Sequence, residues 1–66
     1  MKTATILVYQ PHGTREWFAG VYYRGRCLRQ FTRQDVLDWE SLQRGVRDAA
    51  LVWAEANGFT HYVIRG

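Results

Sequence analysis

Few side chains in this sequence could do covalent or metal chemistry, and their spacing argues against it. Cys27, His12 and His61 are the plausible soft ligands and the plausible nucleophile–base partners, and they fall in three separate segments. No two of them show the C-x₂-C or H-x₃-H spacing that builds a metal site from one turn or helix face. Cys27 reads as a small hydrophobe in a strand. His12 belongs to a turn, and His61 opens a closing strand. Asp35, Asp38 and Glu40 offer carboxylates, but acids ahead of an apolar helical stripe are what the positive end of a helix dipole attracts. Gly20, Gly25 and Gly45 are dispersed, so no phosphate-cradling loop is spelled out. The expectation is a protein without catalytic residue, metal or cofactor: not an enzyme, but a chain that works by binding.

The residues that could carry binding are arginines interleaved with aromatics. Arg15-Glu16-Trp17-Phe18 and Tyr22-Tyr23-Arg24-Gly25-Arg26-Cys27-Leu28-Arg29 place both kinds on a run of strands. The guanidinium fork suits phosphate, carboxylate and aromatic faces better than an ammonium does. Candidate contact residues are therefore Arg24, Arg26 and Arg29 with Trp17, Tyr22 and Tyr23. Such material can also make a stacking platform for single-stranded nucleic acid. No RNA-binding signature accompanies it, and a net charge of +3 is low for a dedicated nucleic-acid binder.

That charge is unevenly spread. Residues 1–33 hold Lys2, Arg15, Arg24, Arg26, Arg29 and Arg33 against Glu16, whereas residues 34–66 hold Arg44, Arg47 and Arg65 against Asp35, Asp38, Glu40, Asp48 and Glu55. A polarised chain favours oriented binding to an acidic partner. The bland alternative is that the arginines keep an aromatic-rich sheet soluble. Sixty-six residues make one domain, 1–66, and an apolar fraction of 47% with ten aromatic residues is too hydrophobic for disorder. A single cysteine allows no internal disulfide and points to a reducing compartment, hence a cytoplasmic protein. The apolar run Ile6–Tyr9 is too short for a signal-peptide core or a membrane span, so no membrane partner is expected.

The elements that must position these residues follow from periodicity. Thr3 to Tyr9 or Gln10 reads as a first strand, ended by Pro11-His12-Gly13-Thr14. A second runs from about Glu16 to Tyr23, and Arg24-Gly25 makes a tight connection to a third, Arg26 to Phe31. Thr32-x-x-Asp35 has capping-box spacing and starts a helix or a helical turn preceding one. Leu42, Val46, Ala49, Ala50 and Trp53 make the apolar stripe of the main helix. Glu40–Arg44 and Arg44–Asp48 stand at i,i+4 on its polar side. Gly45 inside this pattern marks a close approach to the sheet. Asn57-Gly58 ends the helix with a left-handed cap and Phe59 supplies its hydrophobic contact. Thr60 to Arg65 is the fourth strand. The fold class is α+β: an antiparallel three-stranded meander, one helix on one face, and a fourth strand completing the sheet beside the first.

Alternation makes the strands apolar on both sides. Ala4, Ile6 and Val8 oppose Thr5, Leu7 and Tyr9. Trp17, Ala19, Val21 and Tyr23 oppose Phe18, Gly20 and Tyr22, and His61 and Val63 oppose Tyr62 and Ile64. One helix covers one face, so large apolar groups must stay exposed on the other, and such a patch marks an interaction or self-association site. Spacing alone leaves open which face the helix takes.

The β-β-β-α-β order, the Trp17-containing second strand, the Arg24-Gly25 turn, the helix 42–57 and the closing Tyr62-Val63-Ile64 resemble the small bacterial and phage domains called DUF2188. The stretch Thr32–Ser41, richer in acids and holding Trp39, departs from that pattern. The tail from Trp53 to Gly66 is similar to the end of one small phage-encoded anti-CRISPR type. That resemblance implies a phage protein acting in the host cytoplasm as a stoichiometric inhibitor, binding a host protein complex such as a CRISPR-Cas effector. The basic charge disfavours direct mimicry of duplex DNA and leaves occlusion of a protein surface. A homodimer joined through the uncovered sheet face is compatible with either mode of binding.

Overall fold

A computed structural model describes residues 2–36 and 41–66. Its strands are β1 (Thr3–Tyr9), β2 (Phe18–Tyr23), β3 (Arg26–Phe31) and β4 (His61–Arg65), with one helix, α1 (Leu42–Ala56), between β3 and β4. The sheet order is β3-β2-β1-β4. β1, β2 and β3 pair antiparallel, and β4 adds to β1 in parallel, with Thr3 beside His61 and Ile6 beside Ile64. The architecture is thus the expected α+β domain, with the fourth strand beside the first.

Local chemistry explains each corner. Arg24 and Gly25 both take positive φ, 52° and 75°, which matches the right-handed twist of the strands they join. Thr32 and Asp35 form a reciprocal capping box around a single 3₁₀ turn, Arg33–Asp35, after which Val36 is extended. The turn stops there rather than running on as a helix start. At the far end of α1 the Phe59 amide donates to the Ala54 carbonyl and the Gly58 amide to that of Glu55, at 3.1 and 3.2 Å. This is a Schellman cap with Gly58 left-handed and Phe59 buried beneath it.

The helix takes the aliphatic set of alternating residues. Ala4, Ile6, Val8, Ala19 and Val21 are buried under Val46, Ala50 and Ala54, with Phe31, Val36 and Phe59 closing the sides. Leu42, Ala49 and Trp53 from the expected stripe are half-buried at its margin.

Four expectations need correction. β2 begins at Phe18, so Glu16 and Trp17 precede the strand. Gly45 makes its close approach to Val36 rather than to the sheet: a Cβ on Gly45 would overlap the Val36 side chain. Cys27 is exposed in β3 and does not serve as a packed hydrophobe. Asp48 pairs with its neighbour Arg47, at 3.5 Å, in place of Arg44. The readings of Asp38, Trp39 and Glu40, including the Glu40–Arg44 pair, lie outside the described residues.

Candidate interaction surface

The second face of the sheet is covered by no element among the described residues. Alternation and register place Leu7 and Tyr9 of β1, Phe18 and Tyr22 of β2, and Val63 of β4 on it. Tyr9 and Phe18 are direct cross-strand partners, and their rings stack with centroids 5.6 Å apart and planes inclined by 24°. The Gln30 side-chain amide donates to the Tyr9 hydroxyl from β3, two strands away, and fixes that ring. The Tyr22 ring folds back over Gly20, so that a Cβ there would come within 2.7 Å of Tyr22 Cε1. Gly20 is the residue that lets this ring lie flat on the sheet.

Tyr22 also faces Cys27 across the β2–β3 pairing. Its hydroxyl is held above the ordinary phenol pKa, first by the negative charge the Cys27 thiol takes on in alkali, then by their hydrogen bond. Partial burial and the nearby Tyr9 add to the effect. Tyr22 is therefore harder to ionise than an ordinary phenol. The patch is amphipathic: aromatic faces with hydroxyl, amide and thiol groups at their rims.

The three candidate arginines are elsewhere, although Arg65 of β4 shares this face beside Leu7. Arg29 pairs with Val21 and Arg26 with Tyr23, both on the helix side of the sheet. Arg29 lies over the Phe31 ring at 4.7 Å and reaches Asp35 at 3.5 Å. Arg24 caps the Tyr23 ring at 5.3 Å, and Lys2 sits over Phe59 at 4.6 Å. These cations shield the rims of helix-side aromatics, where a stacked cation is favourable. Trp17 is half-buried against the same core. Together with Arg15, Arg44 and Arg47 it lines a cleft of about 530 Å³ beside the start of α1. Tyr23 meets Phe59 edge-on at 5.3 Å.

Of the six candidate contact residues, Tyr22 alone faces the helix-free side. Tyr23, Arg24, Arg26 and Arg29 gather at the hairpin and helix-side margin, and Trp17 stands at the opposite end of β2. The residues that share the open face with Tyr22 were grouped by alternation, Leu7 with Tyr9 and Phe18 with Tyr22. What alternation lacked was the choice of face by α1.

Cys27 and His61 occupy β3 and β4, the two outer strands of the sheet, and His12 lies in the turn after β1. Three interstrand spacings of about 4.8 Å separate the outer strands, so these groups do not converge. Among the described residues no cluster of three His, Cys, Asp or Glu side chains could hold a metal ion. No helix among them is long and apolar enough to cross a membrane.

Compared with protein-family models, with well-characterised proteins and with solved structures, the chain matches none.

Proposed function

We propose that this chain is a non-enzymatic binding module that docks the helix-free face of its sheet on a protein surface. The observation that carries the reading is the segregation of the two residue classes. Leu7, Tyr9, Phe18, Tyr22 and Val63 share one face, while Arg26 and Arg29 lie on the other side of the sheet. A protein interface is centred on aromatic and aliphatic groups and depleted of charge. A single-strand stacking platform needs cations beside the aromatics to track the phosphates, and the open face has Arg65 at its β4 margin but not the arginines of the β2–β3 hairpin.

The resemblance of the tail from Trp53 to Gly66 to a phage-encoded anti-CRISPR protein directs the proposal to a host CRISPR-Cas effector complex. On this reading a phage-encoded chain, acting in the host cytoplasm, blocks the complex by occupying a surface it needs. The positive net charge fits occlusion better than mimicry of DNA.

The test adds the chain to purified effector complexes and follows target-DNA binding by gel shift. Loss of DNA binding at near-equimolar ratio supports the proposal, and unchanged binding at large excess removes the CRISPR partner from it. Labelled oligonucleotides titrated at two salt concentrations test the alternative. Steeply salt-sensitive binding there would make the chain a nucleic-acid module instead.

A further inference from the structure

The two edges of the sheet are guarded very differently. β3 carries Arg26 and Arg29, and a bulge between Val21 and Tyr22 breaks its regular pairing with β2. Charge and bulges are the usual protections of an exposed edge. β4 has no bulge and keeps its one arginine, Arg65, at its end: its pairing with β1 is regular through all five residues, and its centre is Tyr62-Val63-Ile64. The helix lies over β1 and β2 and stops short of β4. As a result Tyr62, Val63 and Ile64 remain 36%, 42% and 49% exposed, although Tyr62 and Ile64 point to the helix side and Val63 to the other. β4 is thus partly exposed on both faces, and among the described residues no strand pairs with its outer edge.

The backbone of that edge has a particular spacing. The His61 amide donates to the Lys2 carbonyl of the β1 side, at 3.3 Å. In a parallel ladder alternate residues turn both amide and carbonyl to the same neighbour, so His61, Val63 and Arg65 bond β1. Tyr62 and Ile64 then present their amides and carbonyls outward. Two outward residues flanking a central inward one form a self-complementary set. A two-fold axis through Val63 sets Tyr62 of one copy against Ile64 of the other, twice, and each such pair exchanges two backbone hydrogen bonds. On the helix side this brings Tyr62 rings against Ile64 side chains, an aromatic–β-branched pairing that stabilises antiparallel strands. On the other face Val63 meets Val63.

We infer that the β4 edge is a homodimer contact, in which two chains pair β4 antiparallel about Val63 into one continuous eight-stranded sheet. This differs from association through the helix-free face. It leaves Tyr9, Phe18 and Tyr22 of both copies exposed on the same side of the joined sheet, and stands whether or not that face binds an effector complex. The paired strip is short, which places the association among weak, concentration-dependent interfaces.

The experiment compares two cysteine variants in a Cys27→Ser background, because Cys27 is exposed and would crosslink on its own. Val63 is the non-hydrogen-bonded pair on the axis, where opposing Cα atoms come within the range a disulfide spans. Val63→Cys should form a disulfide-linked dimer under mild oxidation at least about tenfold faster than Val52→Cys, because the axis raises its effective concentration. Val52 is the fair control, being 68% exposed on the helix and so more accessible. In parallel, light scattering on the parent chain should show the mass rising from one chain to two between low micromolar and millimolar concentration. Ile64→Pro removes an outward amide that β1 does not use, and should hold the chain monomeric. A parent chain that stays monomeric at millimolar concentration overturns the inference. So does a dimer in which Val63→Cys links no faster than Val52→Cys. If Ile64→Pro does not fold, as circular dichroism would show, the cysteine comparison decides alone.

Discussion

The Tyr9 and Phe18 rings stack 5.6 Å apart on the side of the sheet that α1 leaves bare, whereas the Phe31 ring is buried on the side α1 covers. The same residue type thus has two different energetic roles. Phe18→Ala should cost about 1 kcal/mol, the value of an aromatic pair on a wet face. Phe31→Ala should cost about 3–5 kcal/mol, because it empties a packed site against Trp53. Chemical denaturation of both variants checks this. Equal losses would mean that the open face is part of the core.

Val36 occupies the space a methyl group on Gly45 would need. In an exposed helix Gly→Ala gains about 1 kcal/mol. Here Gly45→Ala should instead destabilise by about 1–3 kcal/mol, as overpacking does. Combined with Val36→Ala the same substitution should become neutral or favourable, and a double-mutant cycle would read out that coupling.

Arg24 holds a left-handed backbone, φ 52°, at the β2–β3 turn. An ordinary side chain pays about 1 kcal/mol for this conformation, and Asn-Gly is the pair that such turns favour. Arg24→Asn should therefore stabilise by about 0.5 kcal/mol, offset in part by loss of the cation over Tyr23. A fall in melting temperature would show that the Arg24–Tyr23 contact outweighs the turn.

Tyr22 supplies a pH prediction. Its hydroxyl is raised above 10.0 chiefly by Cys27. A group whose folded pKa lies above its unfolded one favours the folded state below the unfolded pKa and loses that contribution as pH rises through the folded value. Stability should thus decline as pH climbs above about 10, and Tyr22 should ionise above its ordinary range in an ultraviolet titration. Cys27→Ser should bring Tyr22 back toward that range. An unchanged titration curve in Cys27→Ser would exclude the thiol as the cause.

Most of the fold was legible because local signals agreed with the tertiary outcome. The Arg24-Gly25 turn, the Thr32–Asp35 capping box and the Gly58–Phe59 cap each depend on chemistry within a few residues. The interaction face was only half legible. Alternation sorted Leu7, Tyr9, Phe18 and Tyr22 correctly, but α1 could have taken either side. It took the one lined by Ala4, Ile6, Val8, Ala19 and Val21, whose smaller side chains let a helix approach closely. The arginines misled for a related reason. Adjacent residues in a strand point to opposite faces, so Arg26 and Arg29 share the helix side with Tyr23 and not the open face with Tyr22. Arg29 ended over Phe31 and beside Asp35, a partner six residues away that lies beyond the strand. Gly45 was read against the sheet because Val36, its actual neighbour, lies in an extended segment with no periodicity to flag it.

On the proposed reading the helix-free aromatic face, and not the arginine hairpin, makes the functional contact. Calorimetric titration of a purified CRISPR effector complex with two variants tests it most directly: Tyr9→Ser combined with Phe18→Ser, and Arg24→Ala combined with Arg26→Ala and Arg29→Ala. The first should lose about 2 kcal/mol or more of binding free energy, roughly thirtyfold, while the second should bind as the parent does. Retained binding by the aromatic variant with loss in the arginine variant would contradict it.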